Sequence, residues 1–290
     1  MTNTDTVERV AAVKESALAG TTSGAVARLR GGKWGALIFR GVAPLIVLVL
    51  LVLAWHAAVE IKNFSPTVLP SPKRVWDATI EDRANLWSNT VPTLKVTLLG
   101  LAVSVAVSVV LATMLSFVGT LRTAFLPLLV GAQSIPVIVM APLFVIWFGF
   151  GMGPKIGLIA IFTTLPMTIS LLQGFMSADP DAATLMRSMG ASRVQVFLRL
   201  QVPTSLPFFF AGLRMVASYA VLAAIFAETV GAFNGLGLYM ATQKNLLRTD
   251  LVLAATIITI VVGLVLFAST YLLEALAMPW ERRRRAMRSE

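Results

Sequence analysis

No cysteine occurs in these 290 residues, and histidine occurs once, at His56. That removes disulfides, thiolate nucleophiles, cysteine metal sites and any histidine-based metal cluster, so no metal site is expected. Charge is scarce too: Asp, Glu, Lys and Arg together make 13% of the chain, against 57% hydrophobic residues. A mean hydropathy of +0.82 leaves more apolar surface than a soluble domain of this size could hide, which puts the chain in a bilayer. The formal charge of +10 suits a nucleic acid in principle. No folded polar domain exists to gather those basic residues on one face, so no nucleic-acid partner is expected. A phosphate-binding G-x-x-x-x-G-K-[ST] loop is missing as well, since Gly32-Lys33-Trp34 lacks the hydroxyl; the chain cannot hydrolyse ATP by itself. No credible Ser/His dyad or pair of carboxylates within one span is present, and no catalytic residue is assigned.

What the chain does have is length in its apolar runs. Crossing roughly 30 Å of hydrocarbon takes about 20 helical residues. Six runs qualify: 41–59, 96–118, 125–150, 156–176, 208–232 and 251–273. They lack the alternation of a barrel strand, so the expected fold class is all-α, a polytopic membrane protein with six transmembrane helices. The first run follows about 40 mixed residues and precedes no small-residue cleavage site, and it is read as a retained helix. The expected organisation is a tail over 1–40 with an interfacial helix in its later part, a six-helix transmembrane domain over 41–276, and a basic tail over 277–290. In that last tail Arg282 to Arg285 would hold lipid headgroups.

Lys and Arg set the orientation. With the N-terminus in the cytoplasm, fifteen of them lie inside and eight outside, so both termini are expected in the cytoplasm of a cell-membrane protein. On the outer side Ser71 followed by Pro72 reads as a helix N-cap with proline in the first turn.

The polar stretch Asp179 to Pro203, between two apolar spans, then falls on the cytoplasmic side. Asp179 before Pro180 caps a short helix, and Asp181 adds favourable charge to its dipole. Gly190 suits a left-handed stop. Ser192 with Gln195 three positions on makes a capping box for a second short helix through Val194, Phe197 and Leu198, and Pro203 fixes the exit. The product is two brief helices joined at a corner by Gly190 and Ala191, with a partly apolar tip rimmed by Arg187 and Arg193.

The run Thr184-Leu185-Met186-Arg187-Ser188-Met189-Gly190-Ala191-Ser192, continued by Leu200-Gln201-Val202-Pro203, resembles the EAA loop of ABC importer permeases. Glycine and proline match; Thr184, Leu185 and Met186 replace the Glu-Ala-Ala triplet. Leu69-Pro70-Ser71-Pro72, the run from Ala141 to Gly149, Gly235-Leu236-Gly237 and Arg248-Thr249-Asp250 are similar to the branch serving nitrate, sulfonate, taurine, bicarbonate, pyrimidine precursors or riboflavin. The resemblance implies the type I ABC importer fold, a second permease copy or paralogue, and a dimer of ATPase subunits binding ATP and Mg. It also implies an extracytoplasmic binding protein and no cofactor on this chain. It assigns coupling to the ATPase to Thr184, Leu185, Met186, Arg187, Met189, Gly190, Ala191, Ser192, Arg193, Phe197 and Pro203.

A solute path is expected where apolar spans carry polar groups or breaks: Gln133, Ser134 and Pro136; Thr164 and Thr168; Ser218, Tyr219 and Glu228. For Glu228, contact with cargo and structural pairing with backbone or Lys244 both stay open. Only Arg214 and Lys155 lie near enough to such a path to meet an anion, which tilts the reading toward a weakly charged organic solute. A secondary transporter or channel is the alternative; it leaves the polar elbow unexplained.

Overall fold

In the computed structural model, residues 33–279 are described, with side chains from Val42 onward. The expected tails fall largely outside this range. Every regular element among the described residues is helical. The chain divides into two units, one ending at Asn63 and one beginning at Phe64. The first contributes helix α1, Lys33–Lys62, whose side chains from Leu45 to Leu53 are mostly exposed and apolar, as a lipid-facing span requires. On it His56 faces Glu60 one turn on, at 3.3 Å.

The second unit begins with α2 (Pro72–Glu81), capped by the Ser71 hydroxyl, which accepts from the Arg74 amide at 3.3 Å. Then come α3 (Arg83–Phe117), α4 (Gly119–Ala132), α5 (Val137–Phe148) and α6 (Met152–Met176). The elbow holds α7 (Pro180–Ser188) and α8 (Arg193–Val196), and α9 (Val202–Gly231), α10 (Leu236–Asn245) and α11 (Thr249–Ala277) close the unit. Among the described residues, five stretches are long and apolar enough to cross a membrane, and α4 with α5 forms a further pair.

That pair modifies one expectation. Residues 125–150 are not one straight helix: α4 and α5 meet at 99° across residues 133–136. Pro136 has no amide to continue the ladder, and the α4 end tightens into bonds such as Ser134 N–H to Gly131 O at 3.0 Å.

Helix α6 is the centre of the unit, packed against α3 on one side and α9 on the other. Lipid chains are as apolar as leucine, so helices in a bilayer associate by close packing and small residues rather than by hydrophobic exclusion. Gly174 of α6 lies so near α9 that a Cβ would come within 2.9 Å of the Ser205 Cα, and a Cβ on Gly212 would meet Ser170 at 2.8 Å. Ser170 adds a hydrogen bond to the Phe208 carbonyl at 2.8 Å, and Ser108 of α3 bonds the Thr164 carbonyl at 3.1 Å. Met167, Leu171, Phe175, Phe210, Leu213 and Val216 fill the space between. Gly174→Val should therefore force α6 and α9 apart at a cost of about 1–3 kcal/mol. The check is the melting temperature of the purified protein in detergent, compared with Gly263→Val, where a Cβ meets nothing within 4 Å.

Candidate functional site

The elbow is built from local bonds. Asp179 accepts the Asp181 amide at 2.9 Å and starts α7. The helix stops where the Ala191 amide reaches back to the Met186 carbonyl and that of Gly190 to Arg187, both at 2.9 Å, with Gly190 at φ +88°. This paired closure is what a left-handed glycine permits. Ser192 and Gln195 then exchange bonds, the Ser192 amide to Gln195 Oε1 at 2.7 Å and the Gln195 amide to Ser192 Oγ at 3.3 Å. Thr184, at the position of the absent glutamate, turns its hydroxyl back to the Pro180 carbonyl at 2.9 Å.

Beyond the corner the structure departs from two separate short helices. α8 passes through a wide π turn, Phe197–Gln201, directly into α9, making one helical rod of 39 residues. The Val202 amide bonds the Phe197 carbonyl five residues back. The wider turn relieves the clash that the Pro203 ring would make with the carbonyl four residues earlier. Only the part from Phe208 onward is needed to fill the hydrocarbon, so the fifteen residues before it carry the elbow about 20 Å further.

The expected coupling residues divide accordingly. Thr184, Leu185, Arg187, Met189, Gly190, Ser192 and Arg193 are exposed, Met186 and Ala191 half-buried. Leu185, Met189, Val194 and Leu198 are each more than half exposed, an apolar cap on a polar segment. Phe197 is not on that tip. It is buried between the rings of Phe117 and Phe175, each 5.0 Å away, and anchors the elbow to α3 and α6. Pro203 sits in the first turn of α9.

The break between α4 and α5 opens onto a cavity of about 340 Å³. Gln133, Ile135, Pro136 and Val137 line it from the break, Phe162 and Pro166 from α6, and Tyr219, Leu222 and Ala223 from α9. Three expected path residues, Gln133, Pro136 and Tyr219, thus line one cavity, with Ser134 and Ser218 exposed. Thr164 and Thr168 are buried elsewhere, in the contacts of α6. Phe162 and Leu222 were not expected. Their signal in the sequence is helical spacing alone, four residues before Pro166 and three after Tyr219.

Glu228, expected on the path or in a structural pairing, is fully buried and is not among the residues lining this cavity. Its Oε2 accepts from the Thr93 hydroxyl at 2.9 Å and from the Gly237 amide at 3.0 Å. Thr93 Oγ1 accepts the Leu236 amide at 2.9 Å, and Asn89 Oδ1 the Gly235 amide at 2.9 Å. Three side chains from α3 and α9 therefore satisfy the first amides of α10, which otherwise have no helical partner. Glycine is required on both sides of Leu236, because a Cβ at Gly235 would overlap the Glu228 carboxylate and one at Gly237 the Ile225 carbonyl. Lys244 is not among the partners of Glu228. The amino end of α3 is tied to α10 as well, Tyr239 donating to Asp82, and burial together with that bond pushes the Tyr239 hydroxyl well above its ordinary pKa.

Residues 90–277 match the family described as the inner membrane component of binding-protein-dependent transport systems. The chain belongs to this family. It is a permease subunit of an ABC importer for a small solute, a transport component and not an enzyme, and a multi-pass inner-membrane protein that works with an ATPase and a substrate-binding protein. Among its relatives, the formylaminopyrimidine transport permease ThiX of Halalkalibacterium halodurans is 31% identical across 84% of this chain and 98% of its own length. The riboflavin transport permease RibX of Chloroflexus aurantiacus is 30% identical over 81% and 89%, and the taurine transport permease TauC of Escherichia coli 28% over 80% and 87%. The fold is that of an amino acid ABC transporter, with TM-score 0.52 at 16% identity over 71% of this permease and 97% of that chain. The inward-facing MetNI methionine transporter scores 0.51 at 15% over 64% and 94%.

In the permease the latch on α10 holds a fully buried carboxylate and should be sensitive to substitution. Glu228→Ala orphans the Gly237 amide and is expected to destabilise by about 2–4 kcal/mol, whereas Glu228→Gln, which keeps an acceptor there, should lose less than half as much. Thermal unfolding of the two variants in detergent, side by side, tests the ordering.

Proposed function

We propose that the permease forms one half of a dimeric path, with both termini and the elbow in the cytoplasm. The elbow receives the stroke of an ATPase subunit that binds ATP and Mg. The single observation that carries this reading is the continuous rod from Arg193 to Gly231: it bears an exposed apolar tip at one end and the cavity residue Tyr219 further along. A push on the tip is then delivered to the cavity wall along one helix.

Leu185, Met189, Val194 and Leu198 suit a hydrophobic groove on the ATPase, and Arg187 and Arg193 a polar rim around it. Phe197, wedged between two rings, transmits the load to α3 and α6. Thr184 leaves no carboxylate at the first position of the loop, so docking on this chain depends on apolar contact. The excess of fifteen basic residues over eight supports a cytoplasmic elbow.

Dimerisation follows from the outward stripe of α9. Met215, Ser218, Tyr219 and Leu222 recur at helical spacing and are exposed, although this is the middle of a span. A hydroxyl and a phenol facing lipid are unfavourable; facing a second copy across a wet path they are not. The solute arrives from an extracytoplasmic binding protein and passes between the two stripes.

Leu185→Asp and Met189→Asp each place a charge in the apolar contact, and each is expected to reduce co-purification of the cognate ATPase at least tenfold while leaving membrane insertion intact. Gly190→Val, strained at φ +88°, should do the same. Undiminished co-purification of all three would refute the docking role. Proteolysis of inside-out vesicles at the elbow checks the orientation.

A further inference from the structure

We infer that the groove between the amino end of α3 and the middle of α11 holds one anionic phospholipid of the outer leaflet, its phosphate on Arg83 and an acyl chain along the apolar walls. The groove shares no residue with the cavity at the break of α4 and α5. Its leaflet follows from the orientation proposed above; the site itself does not depend on the docking of an ATPase.

The space measures about 300 Å³, with Leu86 and Trp87 of α3 on one side and Ile257, Ile258, Val261 and Val262 of α11 on the other. Two threonines complete the wall, and both hydroxyls are already used: Thr79 donates to the Val75 carbonyl and Thr90 to that of Leu86, each at 2.7 Å. A polar solute placed here would lose its water and find no hydroxyl in exchange, whereas a hydrocarbon chain gives up nothing.

Depth and charge identify the rest of the ligand. Arg83 opens α3, and Ile257 stands eight residues into α11 from Thr249, about 12 Å along its axis. The groove therefore descends from headgroup level into hydrocarbon, and Trp87, exposed beside it, is the residue type that settles at that boundary. Among the described residues Arg83 has no ion pair, unlike Arg74 and Arg248, which share Asp250. The neighbouring acids are engaged elsewhere: Glu81 lines the cleft of Arg74 and Arg248, and Asp82 accepts from Tyr239 and Asn85. With a cation at its head and no carboxylate on its walls, the groove receives a phosphate but offers nothing to the ammonium of a zwitterionic lipid, so net negative charge is selected. A second permease meeting this face about a twofold axis would bring another Arg83 and still no carboxylate.

The test is native mass spectrometry of the full-length permease with its cognate ATPase, released from nanodiscs of equimolar phosphatidylglycerol and phosphatidylcholine. One phosphatidylglycerol should stay on each permease, favoured about fivefold over phosphatidylcholine, the worth of one cation near an anionic surface. Arg83→Gln, at an exposed site, should bring that ratio to about one while leaving the melting temperature unchanged. Val262→Trp, which fills the groove, should remove the retained lipid, and Leu264→Trp, on the exposed side of the same helix, should not. A photo-reactive p-benzoylphenylalanine in place of Ile258 should cross-link to lipid. No retained lipid, equal retention of the two headgroups by the unaltered protein, an unchanged ratio in Arg83→Gln, or a cross-link to polypeptide instead of lipid would overturn the assignment.

Discussion

Inside a bilayer a backbone amide finds no water, and every helix end that stops at depth must be met by another part of the protein. That constraint organises this permease. The rod from Arg193 to Gly231 answers it by not stopping within the hydrocarbon, and beyond it a π turn carries the same helix past Pro203 toward the elbow. Where the chain does stop, at the amino end of α10, the Glu228 carboxylate, the Thr93 hydroxyl and the Asn89 amide oxygen are brought in from two other helices to receive the three free amides. Where it stops between α4 and α5, the exposed ends border a cavity instead.

These two helix interruptions have opposite characters, and the difference separates structure from transport. The latch is closed, its carboxylate buried and its two glycines fixed by contact. The break is open, its residues Gln133 and Ser134 exposed and without steric enclosure. A polar group locked by bonds to the backbone positions a helix; a polar group left facing a cavity is available to a solute. Close packing of α6 against α9 through Gly174 and Gly212 keeps the rod that connects cavity and elbow from flexing independently.

Much of the elbow was legible because its bonds are local. Asp179 to Asp181, Ser192 to Gln195 and Ala191 to Met186 span two to five residues, and the side chains that make them are ones whose chemistry favours caps and left-handed stops. The spans were legible for a similar reason, since an apolar run of sufficient length has one stable solution in hydrocarbon. Glu228 was recognisable as costly but not as a cap, because its partner Thr93 is 135 residues away. Phe197 was grouped with the tip because adjacent residues share a helix, yet the ring is drawn inward by Phe117 and Phe175, from two other helices.

The sequence by itself determined the medium, the helical class, the capped corner at Gly190 and the family to which the chain belongs, all of which depend on composition, run length or contacts within a few residues. The tertiary structure alone decided that the third apolar run turns through 99°, that Gln133, Pro136 and Tyr219 meet around one space, and that Arg214 is taken up by Glu274. Each of those is a choice of partner between helices. Lipid gives helices no hydrophobic preference for one neighbour over another, so the choice is made by shape, small residues and long-range hydrogen bonds, which appear only once the helices have packed.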